Sequence, residues 1–265
     1  MNMYLHELRA NRKSTMIWTV SMMALVVLFL SIFPSFAKDA EDFKSALESF
    51  PVELRKAIGL SIDSIATLIG FFSYTFLYIK LAGAIQAMNL GVGILSKETR
   101  EKTADFLLTK PVTRTQVVTS KVLAAFTSIV ITNLLFILTT LVMASAVKTD
   151  DYSVKNLILI SLTLFFIQLI FLALGIFISV VFPKIKSVIS VSLGTVFAFF
   201  MIAMIGSMTG DEAMRFVSPF NYFDPVYIAE NSGYELSFLL TSLILIGITL
   251  VGSYILYVKK DVPSV

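Results

Sequence analysis

The chain has 265 residues, of which 57% are hydrophobic and only 15% charged, with a net charge of +3 and no cysteine. A soluble domain of this length has too little interior for so much apolar surface, and the apolar residues come in runs long enough to cross a bilayer, which takes about 20 residues. The composition defines an all-α polytopic membrane protein and excludes disulfides and thiolate metal sites.

The first residues are amphipathic. Met1, Tyr4, Leu5 and Leu8 share one helical face, and His6, Glu7, Arg9, Arg12 and Lys13 surround it. This pattern predicts an interfacial helix over 1–14. His6 is the only histidine, and at an interface it is read as structural rather than as a ligand. The first span follows at 16–36, too long for a cleaved signal peptide. Trp18 lies near its start, where an indole suits the headgroup boundary. Residues 38–63 are polar and acidic. Phe43, Leu47, Phe50, Leu54 and Ile58 recur there at roughly helical spacing, interrupted at Pro51, so two short amphipathic helices on the outer surface are expected.

The second apolar run, 64–95, would be about 48 Å long as a helix against a hydrocarbon core of about 30 Å. It must tilt or project beyond the bilayer. Gly83, Ala87 and Gly91 form a small-residue stripe that permits close helix contact. Lys80 is roughly in line with that stripe. It is read either as a charge facing the bundle interior, hence a functional candidate, or as a lysine snorkelling to the inner headgroups.

Residues 97–121 form the longest strongly charged stretch. Ala104, Leu107 and Leu108 make a short apolar stripe within it. Pro111 disfavours helix at Lys110, and Thr113-x-x-Gln116 fits a capping box that starts a new helix. The expected picture is a short amphipathic surface helix, a turn, and a helix entering the membrane. As chemistry alone, the stretch also fits an ordinary solvated connector that sets topology.

Further spans are expected at 122–147, 156–182, 188–208 and 236–258, with a tight basic turn at Pro183, Lys184 and Lys186. Residues 209–235 are too polar to span and rich in aromatics; they are expected to dip into the outer boundary or cap the bundle. Six spans put both termini on one side. The termini, the 97–121 stretch and the Pro183 turn carry 13 of the 21 Lys and Arg, against 7 in the three outer segments, with Lys80 the remaining one. This bias predicts cytosolic termini.

The sequence encodes little chemistry of its own. None of the 12 glycines is followed by lysine, so the GxxxxGK[ST] phosphate loop is absent, as are HExxH and GxSxG. The polar residues expected at membrane depth are Lys80, Gln86, Asn89, Asn133 and Gln168, which are candidates for lining a translocation path. No Asp or Glu falls within the six spans, which argues against a self-powered ion-coupled carrier. A passive pore or scaffold, or a membrane subunit driven from outside, remains.

The chain resembles the membrane subunits of ATP-binding-cassette exporters of the ABC-2 type, which include bacterial sodium, antibiotic and peptide exporters. The resemblance rests on Glu98, Thr103, Leu107, Leu108, the Pro111-Val112-Thr113-Arg114 motif and Lys121. It extends to FPVELRKAIG at 50–59 and SPFNYFD at 218–224. Lys102 replaces the glycine usual in the family. The resemblance implies two permease copies, identical or related, working with two separate ATPase subunits that hold ATP and Mg, in the bacterial cytoplasmic membrane. This chain would bind no cofactor, metal or nucleic acid and have no catalytic residue. Glu98, Arg100, Glu101, Thr103, Ala104, Leu107, Leu108, Pro111 and Arg114 would form the ATPase-coupling element. The segment before the last span would be re-entrant, with Pro219, Phe220, Tyr222 and Phe223 at an outer gate. Phe, Met and small residues in the spans favour an amphiphilic cargo (a peptide, antibiotic or lipid-like molecule). Sodium export, expected to need more oxygen ligands at depth, and an ATP-independent immunity or scaffold protein are the alternatives.

Overall fold

The structure, a computed structural model, describes residues 3–39, 44–46, 48–57, 64–100, 113–182 and 184–259. All regular secondary structure among them is helical. The long helices are α1 (Met3–Lys38), α3 (Leu68–Arg100), α4 (Arg114–Val147), α5 (Val154–Val181), α6 (Val188–Thr209) and α9 (Leu236–Lys259). Each is long and apolar enough to cross a membrane. The short helices are α2 (Val52–Ala57), α7 (Glu212–Val217) and α8 (Pro225–Asn231), with a 3-10 turn at Pro219–Asn221.

The expected interfacial helix over 1–14 is not a separate element. Residues 3–15 contain no glycine or proline, and α1 runs unbroken from Met3 to Lys38, about 54 Å of helix. The second span starts four residues later than its apolar run. Ser64 to Thr67 form a turn, and the Thr67 hydroxyl accepts a hydrogen bond from the Gly70 amide at 3.1 Å, capping the helix at Leu68. At its other end α3 continues five residues past the apolar run, to Arg100. The capping box at Thr113 is present. Gln116 N donates to Thr113 Oγ1 at 3.2 Å, and Thr113 N donates to Gln116 Oε1 at 3.0 Å. α2 begins directly after Pro51, and residues 44–46 before it are helical too. The expected surface helix carrying Ala104, Leu107 and Leu108 lies outside the described residues, as do Phe43, Leu47, Ile58 and Pro183.

The body consists of two intimate helix pairs, α3 with α5 and α1 with α4. The small-residue stripe on α3 explains the first. A Cβ added at Gly91 would sit 2.5 Å from the Leu172 carbonyl oxygen, and one at Gly175 would sit 2.8 Å from the Met88 carbonyl oxygen. The two backbones touch where both helices lack side chains. α9 lies along α5, and α6 leans on α3, leaving much apolar surface outward.

Cross-contacts order the ends. Glu7 near the start of α1 meets Lys121 near the start of α4, and Lys121 meets the Ile94 carbonyl near the end of α3. Arg114 donates to the Val258 carbonyl at the end of α9 at 3.3 Å. Both described ends of the chain therefore share one face with the helix ends that bracket residues 101–112. The 209–235 segment covers the opposite face.

Candidate functional site

Three polar sites lie along this bundle. The first is on the terminal face. The Lys121 ammonium is fully buried and donates to Glu7 Oε1 at 2.9 Å and to the Ile94 carbonyl at 2.8 Å. Its hydrocarbon stem and charge sit among α1, α3 and α4, with the Glu7 carboxylate supplying the countercharge that burial demands. Tyr4 shares a 3.0 Å hydrogen bond with Thr127, and the Tyr254 hydroxyl bonds Thr119 at 3.1 Å. The first turns of α4 are thus tied to α1, α3 and α9 together.

The second is a polar seam between the two helix pairs. Asn133 Nδ2 donates to Gln168 Oε1 at 2.5 Å, and Gln168 Nε2 donates to Gln86 Oε1 at 2.8 Å. Gln86 Nε2 donates to Thr132 Oγ1 at 3.2 Å, and Thr132 shares a 2.8 Å bond with Thr19. Five side chains from α1, α3, α4 and α5 are joined in one line, all buried. In lipid such groups must find partners within the protein, and here they find one another. Asn133 Oδ1 is buried and has no hydrogen-bond partner among the described residues.

The third is the 209–235 segment. Gly210, with φ of 69°, closes α6 in the left-handed region that glycine tolerates. The Asp211 and Asp224 carboxylates cap α7 and α8, accepting from Ala213 N and Val226 N at 2.9 Å each. Arg215 pairs with Glu235 at 2.6 Å and lies over the Phe238 ring at 4.2 Å. Ser218 donates to the Phe199 carbonyl at 2.7 Å and Asn221 to the Ala203 carbonyl at 3.0 Å. Phe220 packs on Phe171 and Phe200, and Phe223 on Phe166 and Tyr234. Burial pushes the Tyr234 phenol up to about 12, so it stays protonated and donates to the Leu159 carbonyl at 2.6 Å. Ser232, the one described non-glycine residue with positive φ, bonds Asn156 at 2.8 Å, which offsets its backbone cost.

Lys80 belongs to this third site. It lies about 18 Å along α3 from Leu68 and does not reach for the headgroups beside the termini. Its side chain is buried, with Nζ donating to the Phe220 carbonyl at 3.4 Å and lying 6.0 Å from the Phe76 ring centre.

The residues expected from sequence are thus distributed among these sites. Gln86, Asn133 and Gln168 come together in the seam, whereas Asn89 is partly exposed and outside it. Pro219, Phe220, Tyr222 and Phe223 come together and are buried; the Tyr222 hydroxyl donates to the Phe216 carbonyl at 2.8 Å. Of the coupling residues, Arg114 is placed at the start of α4. Glu98 and Arg100 end α3, but their side chains lie outside the described residues, as do Glu101, Thr103, Ala104, Leu107, Leu108 and Pro111. Sequence reading missed Glu7, Thr19 and Thr132 as parts of the sites. Glu7 carries only one signal, a carboxylate among the cations of an amphipathic helix.

Six crossing helices, a polar seam at depth and a capped far face define a polytopic membrane protein built around interacting helix pairs. The family model for ABC-2 family transporter proteins matches residues 1–262, and the chain belongs to that family as a membrane component. No curated protein matches the chain.

Proposed function

We propose that this chain is the translocating subunit of an ATP-driven exporter for an amphiphilic cargo, coupled to a separate ATPase through residues 97–121. The observation that carries this reading is the Lys121 contact to Glu7 and to the Ile94 carbonyl. Those bonds join the two helix ends that emit and receive residues 101–112. A force applied to that stretch reaches α1, α3 and α4 at once, without passing through a loose joint. Two ATPase subunits supply ATP and Mg chemistry, and a second permease copy completes the path. The uncovered apolar faces of α1, α6 and α9 are available to that copy and to lipid. Both termini lie in the cytosol of a bacterial cell, in keeping with the basic residues on that face.

In this reading Ala104, Leu107 and Leu108 bury against the ATPase, and Glu98, Arg100, Glu101 and Arg114 tune partner choice at the rim. Pro219, Phe220, Tyr222 and Phe223 gate the exit. The test is Leu107→Asp with Leu108→Asp. The expected result is normal membrane insertion with loss of the co-eluting ATPase. A well-inserted double variant that keeps its ATPase would contradict the docking role.

A further inference from the structure

Three buried charged side chains lie within the described membrane helices, namely Glu7, Lys80 and Lys121. Glu7 and Lys121 neutralise each other at 2.9 Å. Among the described residues Lys80 has no such partner. It is only 5% exposed, it makes no ion pair among the described residues, and its one hydrogen bond is a long 3.4 Å contact to a neutral carbonyl. Asp224 acts on it through space alone, and that carboxylate is exposed and engaged in capping α8. Arg215, in the same segment, has what Lys80 lacks, a carboxylate at 2.6 Å, along with a ring at 4.2 Å.

From this contrast we infer that Lys80 and the underside of the 3-10 turn at Pro219–Asn221 form a recognition site for the anionic head of an amphiphile. The inference rests on the exporter reading and names its substrate class. A desolvated ammonium with two unused N–H donors gains little from a neutral head and is repelled by a cationic one. A carboxylate or phosphate receives charge-assisted hydrogen bonds, and the fold has already met the cost of desolvating the lysine. The walls suit the rest of such a molecule. The Phe76 ring, 6.0 Å from Lys80 Nζ, packs on Phe136, and Phe220 packs on Phe171, so the apolar rings next to the lysine are backed by others. The Phe220 carbonyl serves as a weak acceptor for the ammonium, and an arriving anion displaces it.

The test uses photolabelling of the purified full-length chain in nanodiscs of neutral phosphatidylcholine. The probes are a diazirine-bearing hexadecanoate and the matching neutral hexadecanol. Wild type is expected to take up the anionic probe with about tenfold preference or more, equivalent to about 1.4 kcal/mol, with labels on the peptides around Phe76–Lys80 and Phe216–Asp224. Lys80→Met and Lys80→Gln should abolish the preference, and Lys80→Arg should retain it. Because no described residue forms an ion pair with the lysine, its removal breaks none among them, and these variants are expected to fold. Equal labelling by both probes, or a preference that survives Lys80→Met, would overturn the assignment. Competition by sodium acetate as effective as by dodecanoate would reduce the site to one for free anions and overturn it as well. No ATPase takes part, so failure here is separable from failure of the exporter reading.

Discussion

Glu7 and Lys121 stand 114 positions apart in the chain and meet at 2.9 Å in the interior. The same ammonium bonds the Ile94 carbonyl at 2.8 Å. One lysine therefore fastens three helices at the face from which residues 101–112 emerge.

Breaking that pair from one side should be costly. Lys121→Met leaves the Glu7 carboxylate buried without its counter-ion, an effect of about 3–5 kcal/mol for pairs of this kind. Replacing both, as Glu7→Gln with Lys121→Met, should recover much of the loss, because an apolar or neutral pair often serves as well as a buried ionic one. Thermal denaturation of the purified chain in detergent checks this. The double variant should melt above Lys121→Met; a single variant as stable as wild type would show that the contact adds nothing.

The polar seam should contribute less per bond. Gln168 sits second in the line, accepting from Asn133 and donating to Gln86. Interhelical hydrogen bonds in membranes average about 0.6 kcal/mol, so Gln168→Leu, which cuts two, should cost about 1 kcal/mol from these bonds. Thr19→Val, at the end of the line, should cost less. Unfolding in mixed micelles would rank them, and the reverse order would show that the seam is not a connected unit.

The contact between α3 and α5 admits no side chain at its tightest point. Gly175→Ala would push a methyl to 2.8 Å from the Met88 carbonyl oxygen and 2.9 Å from the Val92 amide nitrogen. Both are backbone atoms that cannot step aside, so overpacking of about 1–3 kcal/mol is expected. Gly194→Ala, where nothing lies within 4 Å, is the control and should leave the melting temperature nearly unchanged.

Much of this architecture is legible in the sequence, because bilayer crossing demands local features. Runs of about 20 apolar residues mark the spans, Thr113 and Gln116 mark the start of α4, and Gly83, Ala87 and Gly91 mark a close-contact face. What that face touches is not legible, since Gly175 carries no sign of being its partner. The Glu7–Lys121 pair is equally hidden, for a contact across 114 positions leaves no periodic trace. Lys80 is open to a snorkelling reading because sequence gives the depth of a side chain but not its direction. The turn at Pro219–Asn221 folds over it instead, and that turn is set by tertiary contacts to Phe199 and Ala203. The ends of α1 and α3 differ from the apolar runs because capping and the absence of helix breakers, not hydropathy, set where a helix stops.

The 209–235 segment should behave as a unit clipped at Arg215. Arg215→Ala removes both the Glu235 pair and the Phe238 contact. Hydrogen exchange across 212–231 should accelerate, while exchange in α3 and α5 stays slow. Arg215→Lys should give an intermediate rate, because a lysine keeps the charge but not the planar fork. Unchanged exchange in Arg215→Ala would show that the aromatic contacts alone hold the segment.

The most direct measurement exploits the absence of cysteine. Leu107→Cys supplies a unique thiol in the stretch proposed to dock. Cross-linking from it in native membranes, followed by gentle purification and identification of the attached chains, is expected to yield a protein carrying a phosphate-binding loop, captured in near-stoichiometric amount and sensitive to added ATP. If the thiol is accessible and the chain is intact, but no such protein is captured, ATP-driven coupling through this stretch is contradicted and the scaffold or immunity reading takes its place.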